Sequence, residues 1–167
     1  PVNDAPKSTA TQSLDDELDL TSAHVLLVDD HEQNLDLLQA YIEDLGCRIS
    51  TARDGVEAKE AIERDQPDLI LLDVMMPRMS GFQLCEKLKA APETRDIPIV
   101  MVTALSEVGD VERAVEAGAD DFLTKPVHRV ELMTRVKSLL RVRLLRRQLE
   151  ATLDEMKQMR AEKSDDA

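Results

Sequence analysis

The sequence has few basic residues, few cysteines, few aromatic residues and no long apolar run. Its 167 residues include 21 Lys or Arg against 34 Asp or Glu, one Tyr, two Phe and no Trp. The formal net charge of −13 argues against general nucleic-acid binding, because the phosphates would repel the protein. No uninterrupted apolar run exceeds four residues, which is too short for a membrane span or a signal-peptide core.

The two cysteines, Cys47 and Cys85, make neither a disulfide framework nor a CxxC metal site. We expect both thiols to pack as small hydrophobic groups in a reducing compartment. Since 43% of the residues are apolar, the chain has enough hydrophobic material for a folded core. Together these features predict a soluble, acidic, cytoplasmic protein.

The beginning of the chain differs from the part that follows. Residues 1–22 are rich in Pro, Ser, Thr and Asp and have no helical apolar stripe, which predicts a flexible N-terminal tail. From His24 onward, short apolar runs alternate with longer stretches that have apolar residues at helical spacing. The runs are Val25–Val28, Ile49–Ala52, Leu69–Leu72, Ile99–Val102 and Phe122–Leu123.

This alternation predicts the fold class. Gly46 and Gly118 stand where two of the helices should end, and Asp54 can cap the helix that begins near Gly55. Near-continuous apolar strands that alternate with helices indicate a parallel sheet covered on both faces. We therefore predict an α/β domain over residues 23–140, with a doubly wound five-stranded parallel sheet.

Polar groups follow four of the five predicted strands. They are Asp29 and Asp30 after the first strand, Asp73 after the third, Thr103 at the end of the fourth and Lys125 after the fifth. Ligands bind outside the carboxyl ends of the strands in such sheets. Three converging carboxylates would repel one another without a counterion. Mg²⁺ suits them best, and the absence of His and Cys from these groups disfavours zinc.

An aspartate beside Mg²⁺, a lysine and a hydroxyl is typical of phosphoryl transfer. Asp73 follows the most apolar strand and would attack phosphorus to form an acyl phosphate. Lys125, Thr103 and the ion would neutralise the charge on the transferred oxygens. The adjacent pair Asp29–Asp30 is better suited to holding the metal.

Four stretches together resemble the receiver domain of two-component response regulators. They are VLLVDDHEQN, DLILLDVMMPRMSGF, IPIVMVTAL and GADDFLTKPV, in family order and spacing. The resemblance implies a flavodoxin-like (βα)5 fold. It also implies that Asp73 accepts a phosphoryl group from a phosphohistidine on a sensor histidine kinase or a histidine phosphotransfer protein.

The resemblance also assigns roles around the metal. It makes Asp30, Asp73 and the backbone carbonyl of Met75 direct Mg²⁺ ligands, with Asp29 acting through water and Mn²⁺ able to substitute. Lys125 would pair with Asp73 or its phosphate. The bond between Lys125 and Pro126 would be cis.

A switch follows from the same resemblance. The Thr103 hydroxyl would move toward the phosphate, and Phe122 would turn inward to fill the vacated space. The small Ala104 side chain leaves the phosphate approachable. Met75 and Leu105, at two positions that tune the lifetime of the acyl phosphate, cannot orient an attacking water, which predicts slow self-dephosphorylation.

The last helix continues past the receiver. Apolar residues continue at steps of three and four over residues 141–163, with residues 164–167 as a frayed end. One interpretation is a solvated helix. The other is a signalling helix that forms a coiled-coil homodimer or leads to an output domain, as in regulators with diguanylate cyclase, phosphodiesterase or phosphatase outputs. No helix-turn-helix follows the arginines of this helix, so we expect no nucleic-acid binding.

Two rival functions remain open. A phosphate-independent interaction scaffold could share the fold, although the intact set of polar residues speaks against it. An aspartyl Mg²⁺-dependent phosphohydrolase is the other, but it would need a second Asp where Met75 stands. We therefore predict a signalling phosphoacceptor rather than an enzyme, with no membrane association.

Overall fold

The computed structural model describes residues 19–104 and 108–166. Five strands alternate with five helices along the chain, as the apolar runs predicted. The strands are β1 His24–Val28, β2 Arg48–Ala52, β3 Leu69–Leu72, β4 Ile99–Thr103 and β5 Asp121–Thr124. The helices are α1 Glu32–Glu43, α2 Gly55–Arg64, α3 Gly81–Ala90, α4 Val108–Glu116 and α5 Arg129–Asp165.

All strand pairs are parallel, and the order across the sheet is β2-β1-β3-β4-β5. The chain therefore winds first to one side of β1 and then to the other, which confirms the doubly wound topology. β3 is the central strand. The carboxyl ends of β1, β3 and β4 consequently meet at the middle of one edge.

The sheet separates two apolar clusters, because successive side chains of a strand point to opposite faces. On one face Leu26 and Leu72 pack with residues of α2, α3 and α4. On the other face Leu27 and Leu71 pack with α1 and α5. Both faces are thus covered, and the strands β1, β3 and β4 are buried along their whole length.

The helix ends and the helix start that the sequence predicted are present. Gly46 and Gly118 have φ values of 74° and 89°, a left-handed conformation that glycine adopts without a steric cost. The Asp54 carboxylate accepts a hydrogen bond from the Glu57 N–H and caps α2. The Lys125–Pro126 peptide is cis.

The described end of the predicted tail and the predicted helical extension both contain secondary structure. Residues 1–18 lie outside the described residues, whereas Leu20–Ser22 form a short 3-10 turn that packs Leu20 against the core. α5 is continuous through Asp165, two residues past the expected end. Among the described helices none combines the length and apolarity needed to cross a membrane.

α5 buries one side chain per turn on the sheet and then extends beyond it. The buried residues are Leu132, Val136, Leu140 and Leu144. Leu139 is partly buried and packs against the same cluster. Past Leu144 the helix is exposed apart from a contact with Asp68, which immediately precedes β3. The Arg147 guanidinium donates to Asp68 Oδ1 at 2.6 Å, and the Arg143 Nε lies 3.9 Å from the same oxygen.

Candidate functional site

The carboxyl ends of the strands bring four ionisable side chains together. Asp29 and Asp30 follow β1, Asp73 follows β3 and Lys125 follows β5. We call these four residues the carboxyl rim. Three of the four are carboxylates and one is an ammonium, so the rim carries an excess of negative charge at neutral pH.

Lys125 reaches across the sheet edge to the two buried carboxylates. Its Nζ lies 2.9 Å from Asp29 Oδ2 and 3.7 Å from Asp73 Oδ2. Asp29 and Asp73 are only 1% and 4% exposed. The lysine is therefore closer to Asp29 than to Asp73, the partner that the family resemblance implied.

Asp29 is well supplied with hydrogen-bond donors. Besides Lys125, its Oδ1 accepts the His31 N–H at 2.9 Å and the Asn34 Nδ2 at 3.4 Å. Both donors come from the start of α1, which follows the Asp pair directly. A carboxylate with this many donors has little lone-pair capacity left for a metal ion.

Asp30 is the opposite case. Its Oδ1 is buried and accepts no hydrogen bond from the described part of the chain, although His31 Nδ1 lies 3.0 Å away. A buried carboxylate oxygen without a donor is unfavourable unless an ion or water satisfies it. A hard divalent cation between Asp30 and Asp73 would coordinate this buried oxygen and balance the excess negative charge.

The rim also perturbs Asp73. The pKa of Asp73 is raised to about 6, chiefly by burial and next by the neighbouring Asp29 carboxylate. The Lys125 ammonium and the Met75 N–H, which donates to Asp73 Oδ1 at 3.3 Å, oppose this rise in pKa. Strongly perturbed carboxyl groups of this kind are concentrated at functional sites.

The backbone around Asp73 is tightly packed. A Cβ on Gly81 would lie 2.2 Å from the Asp73 carbonyl oxygen, and the Gly81 N–H donates to the Val74 carbonyl at 2.9 Å. Only glycine permits this close approach between the start of α3 and the end of β3. The Met75 side chain is exposed on the intervening loop.

Thr103 and Phe122 lie on the same face of the sheet. Thr103 is fully buried at the end of β4, and its carbonyl accepts the Lys125 N–H at 2.8 Å. Phe122 pairs with Met101, two residues before Thr103, and is partly buried against the same apolar cluster. Ala104 is exposed, and Leu105 lies outside the described residues.

His31 also lies at the rim, although the sequence alone placed no histidine among these groups. Its Nδ1 belongs to a cluster with Asp29, Asp30 and Asp73 in which one ligand atom of each lies within 4.8 Å of the others. His31 directly follows the Asp pair, precedes α1 and has an exposed side chain. Its position next to two acids was the signal in the sequence.

The chain matches the family model described as "Response regulator receiver domain" over residues 25–137. This match covers more than half of the sequence and includes every residue of the carboxyl rim. The chain belongs to the response regulator receiver domain family.

Three similar proteins illustrate the relationship. The response regulator PleD from Caulobacter vibrioides is 49% identical over 140 residues, which are 84% of this chain and 29% of PleD. The receiver domain of a signal transduction histidine kinase from Syntrophus aciditrophicus is 41% identical, with a TM-score of 0.67, over 71% of this chain and 90% of that one. This receiver thus spans less than a third of PleD's length.

The third similar protein was solved with a metal ion. It is the receiver domain of the sensor histidine kinase PA1611 from Pseudomonas aeruginosa, 32% identical with a TM-score of 0.66. The match covers 71% of this chain and 98% of that one. That structure has a magnesium ion coordinated in its active site cleft.

Proposed function

We propose that this receiver accepts a phosphoryl group on Asp73 from a phosphohistidine of a sensor histidine kinase or a histidine phosphotransfer protein. The supporting observation is the carboxyl rim, in which a buried aspartate at the end of the central strand faces a lysine and two further carboxylates. An Asp73 oxygen forms a bond to phosphorus while the donor's N–P bond breaks. The electrons of that bond stay on the imidazole nitrogen, which then takes up a proton.

The proposed ion is Mg²⁺, with Mn²⁺ able to replace it. Asp30, Asp73 and the Met75 carbonyl would bind it directly, while Asp29, whose oxygens already accept three donors, would act through water. The ion supplies positive charge to the transferred phosphoryl oxygens. Lys125 is close enough to both buried carboxylates to contribute a second positive charge there.

The decisive experiment is incubation with acetyl phosphate or a phosphoramidate and Mg²⁺, followed by intact mass measurement. We expect the mass of one phosphoryl group to be added to the protein and to be absent in Asp73→Asn. Asp68→Asn is the matched control, because it changes the equally buried aspartate at the other end of β3. Failure of every donor to modify the protein would favour the scaffold function instead.

We further propose that phosphorylation is reported through Thr103 and Phe122. Their common face of the sheet and the partial burial of Phe122 support this coupling. Phe122→Ala should still accept phosphate but should lose the phosphorylation-dependent NMR shifts of β5 and α4. Slow hydrolysis of the phosphoryl group is expected from Met75 and Leu105, and a half-life of seconds with Mg²⁺ would contradict it.

A homodimer through α5 is the proposed means of output. Past the receiver the helix exposes an apolar stripe at steps of three and four, including Val142, Leu145, Leu149, Met156 and Met159. The stripe lies on a different face of α5 from Leu144 and the other residues buried on the sheet. A second copy can therefore pack along the stripe without displacing the receiver.

Sedimentation of the full chain tests this dimer. Leu149→Glu should shift the protein toward monomer, since it places a charge in the apolar stripe. Val130→Glu is the matched control, because Val130 is an exposed apolar residue of the same helix outside the stripe. A wild-type monomer at high concentration would overturn the proposal.

Two further proposals concern the rest of the protein and its location. The short span relative to PleD supports an output region that works with this receiver in a longer regulator. Two free thiols among the described residues support a cytoplasmic location.

A further inference from the structure

We propose that His31 is a ligand of the rim's divalent ion, and that this imidazole gives the Mg²⁺ site a higher affinity for transition ions such as Co²⁺ or Zn²⁺ than its oxygen ligands alone would give. This inference rests on the proposed metal site of Asp30 and Asp73. It adds a nitrogen ligand to what would otherwise be an all-oxygen set. Imidazole suits transition ions, whereas Mg²⁺ is bound mainly by oxygen.

The first argument is the position of the ring. His31 Nδ1 lies 3.0 Å from Asp30 Oδ1 and 3.5 Å from Asp29 Oδ1. Two neighbouring ligands of an octahedral ion, each roughly 2.1 Å from it, are separated by roughly 3 Å. The observed separation between His31 and Asp30 fits two atoms that bind one ion, as it also fits an ion pair with a protonated imidazole.

The second argument is the missing hydrogen bond. Despite the short distance, Asp30 Oδ1 accepts no hydrogen bond within the described residues. Two groups that pair with each other point at each other, whereas two ligands of one ion point at a third position between them. The buried oxygen and the ring nitrogen fit the second arrangement.

The third argument concerns what else His31 does. It is the residue that precedes α1, yet its side chain makes no capping hydrogen bond. Most of the side chain is exposed, so it contributes little to the core. Its backbone N–H donates to Asp29, which fixes the start of the side chain beside the carboxylates and keeps Nδ1 within reach of an ion that Asp30 would share.

The first test is the affinity for Co²⁺ and for Mg²⁺, measured by titration calorimetry on the full chain. We expect His31→Ala and His31→Gln to weaken Co²⁺ binding by about tenfold or more and to change Mg²⁺ binding by less than about twofold. His128→Ala is the matched control, because His128 likewise precedes a helix without a side-chain cap. Equal Co²⁺ affinity in wild type and both His31 variants would overturn the inference.

The second test identifies the ligand directly. Histidine bound to Co²⁺ gives a strongly shifted, exchangeable imidazole N–H proton signal in NMR spectra. We expect this signal in the wild type and in His128→Ala but not in His31→Gln. Its absence from the wild type, in a protein that still gains phosphate on Asp73 with Mg²⁺, would overturn the role of His31 and leave the proposed function intact. Absence of both Mg²⁺ binding and phosphate gain would overturn both.

Discussion

The central strand β3 has a buried aspartate at each end, and the two have opposite surroundings. Asp73 lies in the carboxyl rim, where two other carboxylates face it and the one lysine lies closer to Asp29. Asp68 precedes the strand. Its Oδ2 accepts the His24 N–H at 2.9 Å, and its Oδ1 accepts the Arg147 guanidinium at 2.6 Å.

We call His24, Asp68, Arg143 and Arg147 the amino edge. There the positive charges of the two arginines balance the buried Asp68 carboxylate, and this contact holds α5 against the start of β3. At the carboxyl rim the negative charge is left in excess, so the folded protein carries a repulsion that a divalent cation can relieve. The comparison separates a carboxylate that stabilises the fold from one kept reactive at a cost in stability.

The largest effect is expected from Asp68→Ala. This change removes the acceptor of the His24 N–H and leaves Arg143 and Arg147 without their carboxylate. Breaking a buried pair from one side should lower the free energy of unfolding by about 3 kcal/mol. Urea denaturation of the variant and the wild type measures this loss in the free energy of unfolding.

The control for this variant is Asp65→Ala. Asp65 also pairs with an arginine, Arg48, at 2.7 Å, but both side chains are about half exposed. Its loss should cost much less stability than the loss of Asp68, as for other surface ion pairs. Similar losses in the two variants would mean that burial of Asp68 does not matter.

Asp73→Asn, in contrast, is expected to stabilise the metal-free protein. Because its pKa is raised to about 6, folded Asp73 holds its proton at pH values where the unfolded chain has lost it. The contribution of the protonated Asp73 to the free energy of unfolding is therefore fully present below pH 3.8, the pKa in the unfolded chain. It is lost as the pH rises through about 6, the pKa in the folded protein. Removing the charge should raise the free energy of unfolding at pH 7.5 by roughly 2 kcal/mol.

Urea denaturation in EDTA from pH 4 to pH 8 measures this difference. The gain of Asp73→Asn over wild type should grow as the pH rises and vanish near pH 4. Asp68→Asn should lose stability across the whole range. A stability loss in Asp73→Asn at pH 7.5 would show that Lys125 neutralises the rim more completely than its distances indicate.

The fold could be predicted because its signals are local. Gly46, Gly118 and Asp54 mark helix ends and starts within a few residues of the apolar runs, and the structure bears them out. The convergence of Asp73 and Lys125 also followed from the sequence. A parallel sheet places every carboxyl strand end at one edge, whatever the distance along the chain.

The amino edge could not be predicted in the same way. Asp68 and Arg147 are 79 residues apart, and their contact depends on the direction in which α5 crosses the sheet. No periodicity encodes that direction, so the pairing of Arg147 with Asp68 could not be predicted from the sequence. The choice of Asp29 over Asp73 by Lys125 is likewise a matter of side-chain reach, which strand order leaves open.

A smaller effect is expected from adding Mg²⁺. At ten times its dissociation constant, an ion that binds only the folded state stabilises it by about 1.4 kcal/mol. This increment should be largely lost in Asp30→Asn, which removes the unsatisfied rim oxygen. Thermal denaturation with and without EDTA measures it. Asp68→Ala should keep the full increment, since it changes only the amino edge.

The smallest effect is expected from Arg147→Ala. The Arg147 side chain is 55% exposed, so its pairing with Asp68 is partly screened by water, and Arg143 remains nearby. We expect a loss of about 1 kcal/mol, measured by urea denaturation. A double-mutant cycle with Asp68→Ala isolates the pair, because the Arg147 change should cost almost nothing once Asp68 is absent. If Arg147→Ala costs the same in both backgrounds, the guanidinium stabilises α5 by another route, and the amino edge is held by His24 and Arg143.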